Sequence, residues 1–429
     1  MRSADVIVIG AGVLGMFHAY FAAQKGYKTV LIERNPFPND ASTRNFGMIV
    51  QSIVEAGGEW AEHACATAEI YQAIQSECDI GVRPTGSLYI ASTEVENRVL
   101  QEFAQAAGPA STCIYLDADE TCYRYRRIQP SYCVGALFFP HDLTIEPRHM
   151  LRQLIGHVVQ RGLLEYLPAT NVIGVASSDR HCTVTDSAGN VLLADRVIVC
   201  SGAEYRTLFP ALFRISGLTI CKLQMMQTVP QPHNTLPHSI LSGLSIERYR
   251  AFKICPSYSL LQQQAVDEQI RAYGIHLLFK QAADGAVIIG DSHEYSAIEH
   301  ASALEESTSS AINAAILRYG RQMLDLPDRP YVDQQQLAQG LDRALVYLDH
   351  IHAQGYTGIA FDNLAHLVTF ERAPIRIYRA DSSYLRRAAI YRAAFAQLFE
   401  RAAQLGAEWY GKIRPVNVTT VMCGIAHDR

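Results

Sequence analysis

The chain has 429 residues, enough for two domains of ordinary size, with 49% hydrophobic and 18% charged residues and a formal net charge of −5. That balance excludes a chain that binds nucleic acid or an anionic membrane by bulk electrostatics. No apolar run approaches the roughly 20 residues needed to cross a bilayer, and ten cysteines without a C-x-x-C pair predict reduced thiols of a cytoplasmic protein rather than a disulfide framework or a zinc site.

Val6 to Ile9 form a short continuous apolar run, as expected of a strand buried on both faces of a parallel sheet. Gly10-Ala-Gly12-Val13-Leu14-Gly15 follows, with G-x-G-x-x-G spacing, and opens a helix predicted to reach Gly26. Gly10 permits a tight turn, Gly12 lets a pyrophosphate approach the backbone, and Gly15 lets helix and strand pack closely. An anion there would meet free amides and the positive end of the helix dipole. The next strand, Lys28 to Ile32, ends in Glu33, 18 residues after Gly15, where a carboxylate accepts hydrogen bonds from a ribose diol. Glu33 opposes a 2′-phosphate and Arg34 softens that opposition, so FAD or NAD is favoured over NADP. A plain strand–helix turn is the alternative.

Further helices are predicted at about Gly58 to Cys78, Thr93 to Ala107, Asp117 to Tyr125 and Arg148 to Arg161. Strands are predicted within Gly81 to Ala91, in Val134 to Phe139 and near Leu164. Thr183 to Thr185 and Val191 to Leu193 read as a hairpin. The apolar strand that follows ends at Ser201-Gly202-Ala203, a small-residue turn shaped like a second nucleotide-facing strand end. From Ile220 to Gly290 the pattern predicts longer strands and polar loops.

In this order the pieces resemble the D-amino-acid oxidase (glycine oxidase, sarcosine oxidase) superfamily of FAD enzymes over roughly residues 1 to 320, and within it a branch associated with aminophosphonate catabolism. The residues that carry the resemblance are Gly10 to Gly15, Ser42-Thr43-Arg44-Asn45-Phe46-Gly47-Met48, Pro140-His141-Asp142 with Glu146-Pro147, Cys221-Lys222-Leu-Gln224-Met225, and Gly274-Ile-His276 with Gly290-Asp291-Ser-His293-Glu-Tyr295. The resemblance implies a doubly wound, Rossmann-like α/β FAD domain (1–80 and 145–215), a discontinuous antiparallel-sheet substrate domain (81–144 and 216–325) and α+β character overall. It also implies that Thr43, Asn45, Phe46, Gly47 and Met48 run beside the isoalloxazine, that Val172 meets the adenine, and that Ser201 and Gly202 lie near the pyrophosphate. Lys222, Gln224 and His293 would face the flavin from the substrate side.

Lys222, His141 and His293 are the candidate cations for a small anionic amine, an aminophosphonate or N-substituted amino acid. Each has a plainer reading: His141 as half of a turn pair with Asp142, His293 as a strand-end polar residue, Lys222 as an ion-paired sheet residue. His276, centred in an apolar run, reads as a core histidine. No residue announces a general base. None is required where hydride passes from the carbon beside nitrogen to the flavin and the imine then hydrolyses. The electron acceptor is oxygen or another species. A flavin enzyme of a non-amine substrate and a non-catalytic FAD- or ADP-binding scaffold are the rival readings.

Residues 326–429 depart from the family. The closing strand and glycine-rich turn that hold the flavin's pyrimidine edge are missing, although Gly411 and Gly424 offer glycines without the spacing. Gly340 to Gln354 and Ala388 to Leu405 read as helices, Tyr356 to Phe361 and Val416 to Met422 as strands. This is an atypical α/β tail in which Asp362 stands at a strand end.

Overall fold

The structure is a computed structural model that describes residues 2–326 apart from 56, 107–112, 229, 232–234, 265, 302–303 and 305–308. The tail elements, Asp362, Gly411 and Gly424 lie outside the described residues.

Strand β1 (Arg2–Ile9) sits at the middle of a six-stranded sheet, with β2 (Thr29–Ile32) and then Glu165–Leu167 on one side and Val191–Val199 on the other, all four parallel. Cys182–Asp186 and Val172–Ser177 extend the far edge antiparallel, and the predicted hairpin is the first of these two turns. Helix α1 (Val13–Gln24) returns the chain across this sheet. It ends in a Schellman motif: Gly26, at φ +83°, donates to Ala23 O at 2.9 Å, and Tyr27 donates to Ala22 O at 3.1 Å. Met16, Ala19 and Ala23 pack on Val6, Val8 and Leu31, with Tyr71 and Leu154 from two further helices, Glu59–Glu77 and Pro147–Gln160. The alternate residues Ile7, Ile9, Val30 and Ile32 face the other way, against Val172, Val184 and Leu208. Both faces of β1 are therefore buried, which is why its apolar run is continuous rather than alternating.

The second sheet has seven strands, in the order Met225–Gln227, Val287–Gly290, Leu278–Gln281, Ser239–Leu241, Ser87–Ala91, Gly135–Phe139 and Ile114–Asp117. Helix Ser310–Met323 covers one face through Ile312 and Ile316, which pack on Leu88, Ile90, Phe279 and Ile289. The other face packs Tyr89, Leu137 and Leu278 on Phe103 and Phe252. Two features differ from the sequence expectation. The sheet is mixed, because Ser239–Leu241 runs parallel to Ser87–Ala91. The stretch read as longer strands instead holds strands of three or four residues with short helices between them, Gly243–Arg248, Tyr258–Leu261 and Glu268–Ala272. Burial of Ile246 and Leu261 against the sheet stabilises these turns.

The run from Lys222 to Gln227 is likewise split. Thr219–Lys222 pairs with Glu294–Ala297 in a two-stranded ribbon, while Met225–Gln227 joins the large sheet. The two sheets are tied where buried Lys280 donates to Ile145 O and, at 2.9 Å, to Glu146 Oε1. Among the described residues no helix is long and apolar enough to cross a membrane.

Candidate functional site

The glycine turn is built as close packing requires. Gly10 has φ +99°, and a Cβ there would stand 2.2 Å from Cys200 O; a Cβ on Gly15 would stand 1.7 Å from Gly10 O. Neither position admits a side chain. Gly12 is different: the nearest atom to a Cβ is Ser42 Oγ at 3.0 Å, the end of a movable side chain, so the protein itself does not fill the space above it. Ser42 Oγ accepts from Val13 N at 3.0 Å, while Gly12, the N-cap residue, has no side chain to cap the amides beyond it. The amides of Leu14 and Gly15 have no protein partner among the described residues, which leaves them to an incoming phosphate.

Glu33, buried, accepts from Ala11 N at 3.0 Å through Oε2 and from Asn35 N at 3.0 Å through Oε1. Arg34 is held at 2.8 Å by both Asp40 and Glu204, so its charge is met by two acids and offers little to a 2′-phosphate. Three other segments reach the same edge of the parallel strands. Cys200 N donates to Ile9 O at 2.8 Å, which sets Ser201 and Gly202 (φ +61°) beside the first turn. Thr170 N donates to Glu33 O at 2.9 Å, which brings in the chain leading to buried Val172. The third is 42–48, folded by its own bonds: Asn45 Nδ2 donates to Ala41 O and Gly47 N donates to Asn45 Oδ1 at 2.8 Å. Thr43 Oγ1 donates to Asp40 O, while Phe46 and Met48 pack into the aromatic core of the second sheet. These residues fit a dinucleotide at the carboxyl ends of the strands.

That core also contains Tyr249, whose ring lies 5.4 Å from the ring of His276. His276 belongs to a buried polar cluster that sequence reasoning did not assemble. Its Nε2 lies 2.8 Å from Ser245 Oγ, and its Nδ1 is 3.8 Å from Asp291 Oδ1, as is Nδ1 of His293. His293 Nδ1 donates to Gly274 O at 3.0 Å and its Nε2 accepts from Arg248 at 3.0 Å, which fixes a neutral ring. Burial, with Arg248 adding to it, lowers the pKa of His293. Burial, Arg248 and His293 pull His276 down to about 3, and burial pushes Asp291 up to about 7. Asp291 Oδ1 has no hydrogen-bond partner among the described residues.

The structure sets Lys222 opposite Glu294 in the ribbon, at 2.9 Å, next in sequence to His293. His141 lies on an exposed turn and uses only its carbonyl, which accepts from Gln51 Nε2. Its neighbour Asp142 is buried and binds Gln51 N, Ser52 N and Ser52 Oγ. Gln224 does not face outward: its amide is saturated by Ser309 and Asn313 at the start of helix Ser310–Met323. Nor is His293 a cation here, since both ring nitrogens are committed in the neutral state; the charge in that place is Arg248. Nothing in the sequence marked Arg248, because it ends a helix in a stretch read as strand.

The chain matches the family model described as DAO, FAD dependent oxidoreductase, over residues 5–375. It belongs to that family. A glycine oxidase of Bacillus licheniformis is 26% identical over 214 residues, 48% of this chain and 56% of that protein. A monomeric sarcosine oxidase of Bacillus sp. strain B-0618 is 25% identical over 201 residues, 46% of this chain and 51% of that protein. The chain thus spans about half the length of the curated relatives it matches. Among solved structures, a glycine oxidase from Geobacillus kaustophilus superposes with a TM-score of 0.58 at 15% identity, covering 76% of this chain and 79% of that one. An L-alpha-glycerophosphate oxidase from Mycoplasma pneumoniae with FAD bound gives 0.58 at 16% identity, covering 76% and 79%. These likenesses establish the fold, and family membership assigns FAD as the dinucleotide for which the cradle is shaped.

Proposed function

We propose that the protein is an FAD-dependent oxidoreductase that oxidises a small anionic amine, an aminophosphonate or an N-substituted amino acid. One observation carries this reading. The 42–48 segment of the dinucleotide cradle packs, through Phe46 and Met48, into the aromatic core that holds Tyr249, and Tyr249 abuts the Arg248–His293–Asp291–His276 cluster. A cofactor cradle and a charged, largely dry cluster are thereby joined by direct packing. Bound FAD supplies the acceptor for hydride leaving the carbon beside nitrogen, and water then hydrolyses the imine to a carbonyl compound and an amine.

The protein's part is to bind the amine in its neutral form and to orient it. Neutral imidazoles at His276 and His293 suit a neutral amine, to which His276 and His293 present ring faces without adding charge. Arg248 supplies positive charge for the acidic end. Lys222, countered by Glu294, adds a dipole along the ribbon rather than an unmatched cation. His141 is a surface contact at the margin of this proposal.

The test is an anaerobic absorbance titration of the purified protein with 2-aminoethylphosphonate, its N-methyl derivative, glycine and sarcosine. Bleaching of flavin bands by one of them supports the reading and names the substrate class. Flavin bands that none of these bleach would favour a non-amine substrate or a scaffold role.

A further inference from the structure

Lys280 is a costly residue where it stands. It lies in strand Leu278–Gln281 of the large sheet and is 3% exposed, so its ammonium has left water for one carboxylate and one carbonyl. Burial lowers its pKa, and Glu146 beside it acts in the opposite sense. An apolar side chain here would spare that desolvation, and buried ion pairs contribute little net stability. What the ammonium supplies is a fixed point. It donates to Ile145 O, and Glu146 Oε1 accepts from it at 2.9 Å and from Ala283 N at 3.2 Å.

Ile145 is one hydrogen bond from the cofactor cradle. Its N–H donates to Gly47 O at 2.8 Å. Gly47, at φ +70°, packs so closely that a Cβ would stand 2.3 Å from Ile145 O, the atom that Lys280 holds. The strand Met48–Ile49 that follows joins neither large sheet. Its ladder partner is Leu143–Thr144, and Thr144 also meets the backbone of Arg83. Asp142 then binds the amides of Gln51 and Ser52. Segment 47–52 is therefore laid along residues 142–145, and Lys280 pins the end of that stretch beside Gly47.

We propose that Lys280 is a positioning residue for FAD: reaching from the large sheet, it fixes Ile145 and thereby presets the 46–48 segment in the arrangement that the isoalloxazine meets. The inference concerns the cofactor, so it holds for whichever substrate is oxidised.

The test compares the wild type with Lys280→Met, which keeps the length of the side chain and removes its donors. Glu146, whose side chain is 28% exposed, keeps Ala283 N and gains water in that variant. Three quantities are read: the urea midpoint of the protein without flavin, the dissociation constant of FAD, and the visible-region circular dichroism of the bound flavin at saturation. The last reports the surroundings of the isoalloxazine, which a merely structural residue leaves unchanged. The expected result is a folded Lys280→Met that binds FAD about tenfold or more weakly, because the competent arrangement of 46–48 is then populated about a tenth as often and binding has to order it. Its flavin dichroism should differ from that of the wild type. Lys280→Gln returns a neutral donor and should recover part of the affinity; it carries the same readings if Lys280→Met does not fold. Glu102→Ala is the control, since Glu102 in helix Glu94–Ala106 accepts from Ser257 N at 2.8 Å and Ser257 Oγ at 2.6 Å and touches no part of the cradle. It should lose stability and keep both FAD affinity and dichroism. The proposal is overturned if the Lys280 variants bind FAD as tightly as the wild type with the same dichroism, or if Glu102→Ala weakens FAD binding to the same degree.

Discussion

Asp291 and His276 titrate in opposite senses, and their separation gives a sharp test of the cluster. Burial raises Asp291 from the ordinary 3.8 to about 7, so folding retains a proton that the unfolded chain has lost. Asp291 alone therefore makes the fold less stable as pH rises from about 4 to about 7, by about 1.4 kcal/mol per unit. Burial lowers His276 from 6.5 to about 3, so the unfolded chain binds a proton that the fold refuses. The stability from His276 is complete above its ordinary pKa and is lost as pH falls toward about 3. Between about pH 4 and 6.5 the two slopes cancel in the wild type, because folded and unfolded states bind the same number of protons at this pair.

Each single variant unmasks the other partner. Asp291→Asn should lose about 3 kcal/mol relative to wild type on going from pH 6.5 to about pH 4, and His276→Gln should gain about 3 kcal/mol over the same interval. Urea unfolding at four pH values and constant ionic strength measures both; contributions from all other groups cancel in the difference. Variant curves that run parallel to the wild type would refute the buried, neutral cluster.

Three further outcomes are expected. Gly12→Ala should fold with near-normal stability, since its Cβ meets only Ser42 Oγ at 3.0 Å, and Gly12→Val should bind no FAD; normal flavin stoichiometry in a folded Gly12→Val would sink the pyrophosphate assignment. Gly15→Ala should fail to fold or lose several kcal/mol, because its Cβ would stand 1.7 Å from Gly10 O, and a circular-dichroism melt like that of wild type would contradict the strand–helix packing. Asp142→Ala should cost about 2–4 kcal/mol in urea unfolding, since it strands the amides of Gln51 and Ser52 and the Ser52 hydroxyl; a loss below about 1 kcal/mol would show that water replaces the carboxylate.

Local rules were enough for the nucleotide half. G-x-G-x-x-G and the acid at Glu33 belong to one strand–helix–strand unit of about thirty residues whose turn sterics restrict residue types strongly, and the apolar run of β1 records burial on both faces without naming the distant strands and helices that supply it. The sequence alone therefore determined a parallel sheet with a glycine turn and, through its resemblance, the flavin family. The substrate half was decided by tertiary structure. Arg248 lies in a stretch without a motif, and His276 and Asp291, although they fall in segments that carry the resemblance, acquire a common role only when the fold brings those segments together. The same physics misdirected the strand reading. Lys222 ends one strand and Met225–Gln227 forms another, with the change of partner falling at Leu223 and Gln224, and no local pattern records which sheet a strand residue joins. Gln224 shows the limit most plainly: an amide that reads as substrate-facing is spent on the start of helix Ser310–Met323, a partner 85 residues away at Ser309. Backbone propensity is local, whereas the partners of a buried polar side chain are chosen by the whole fold.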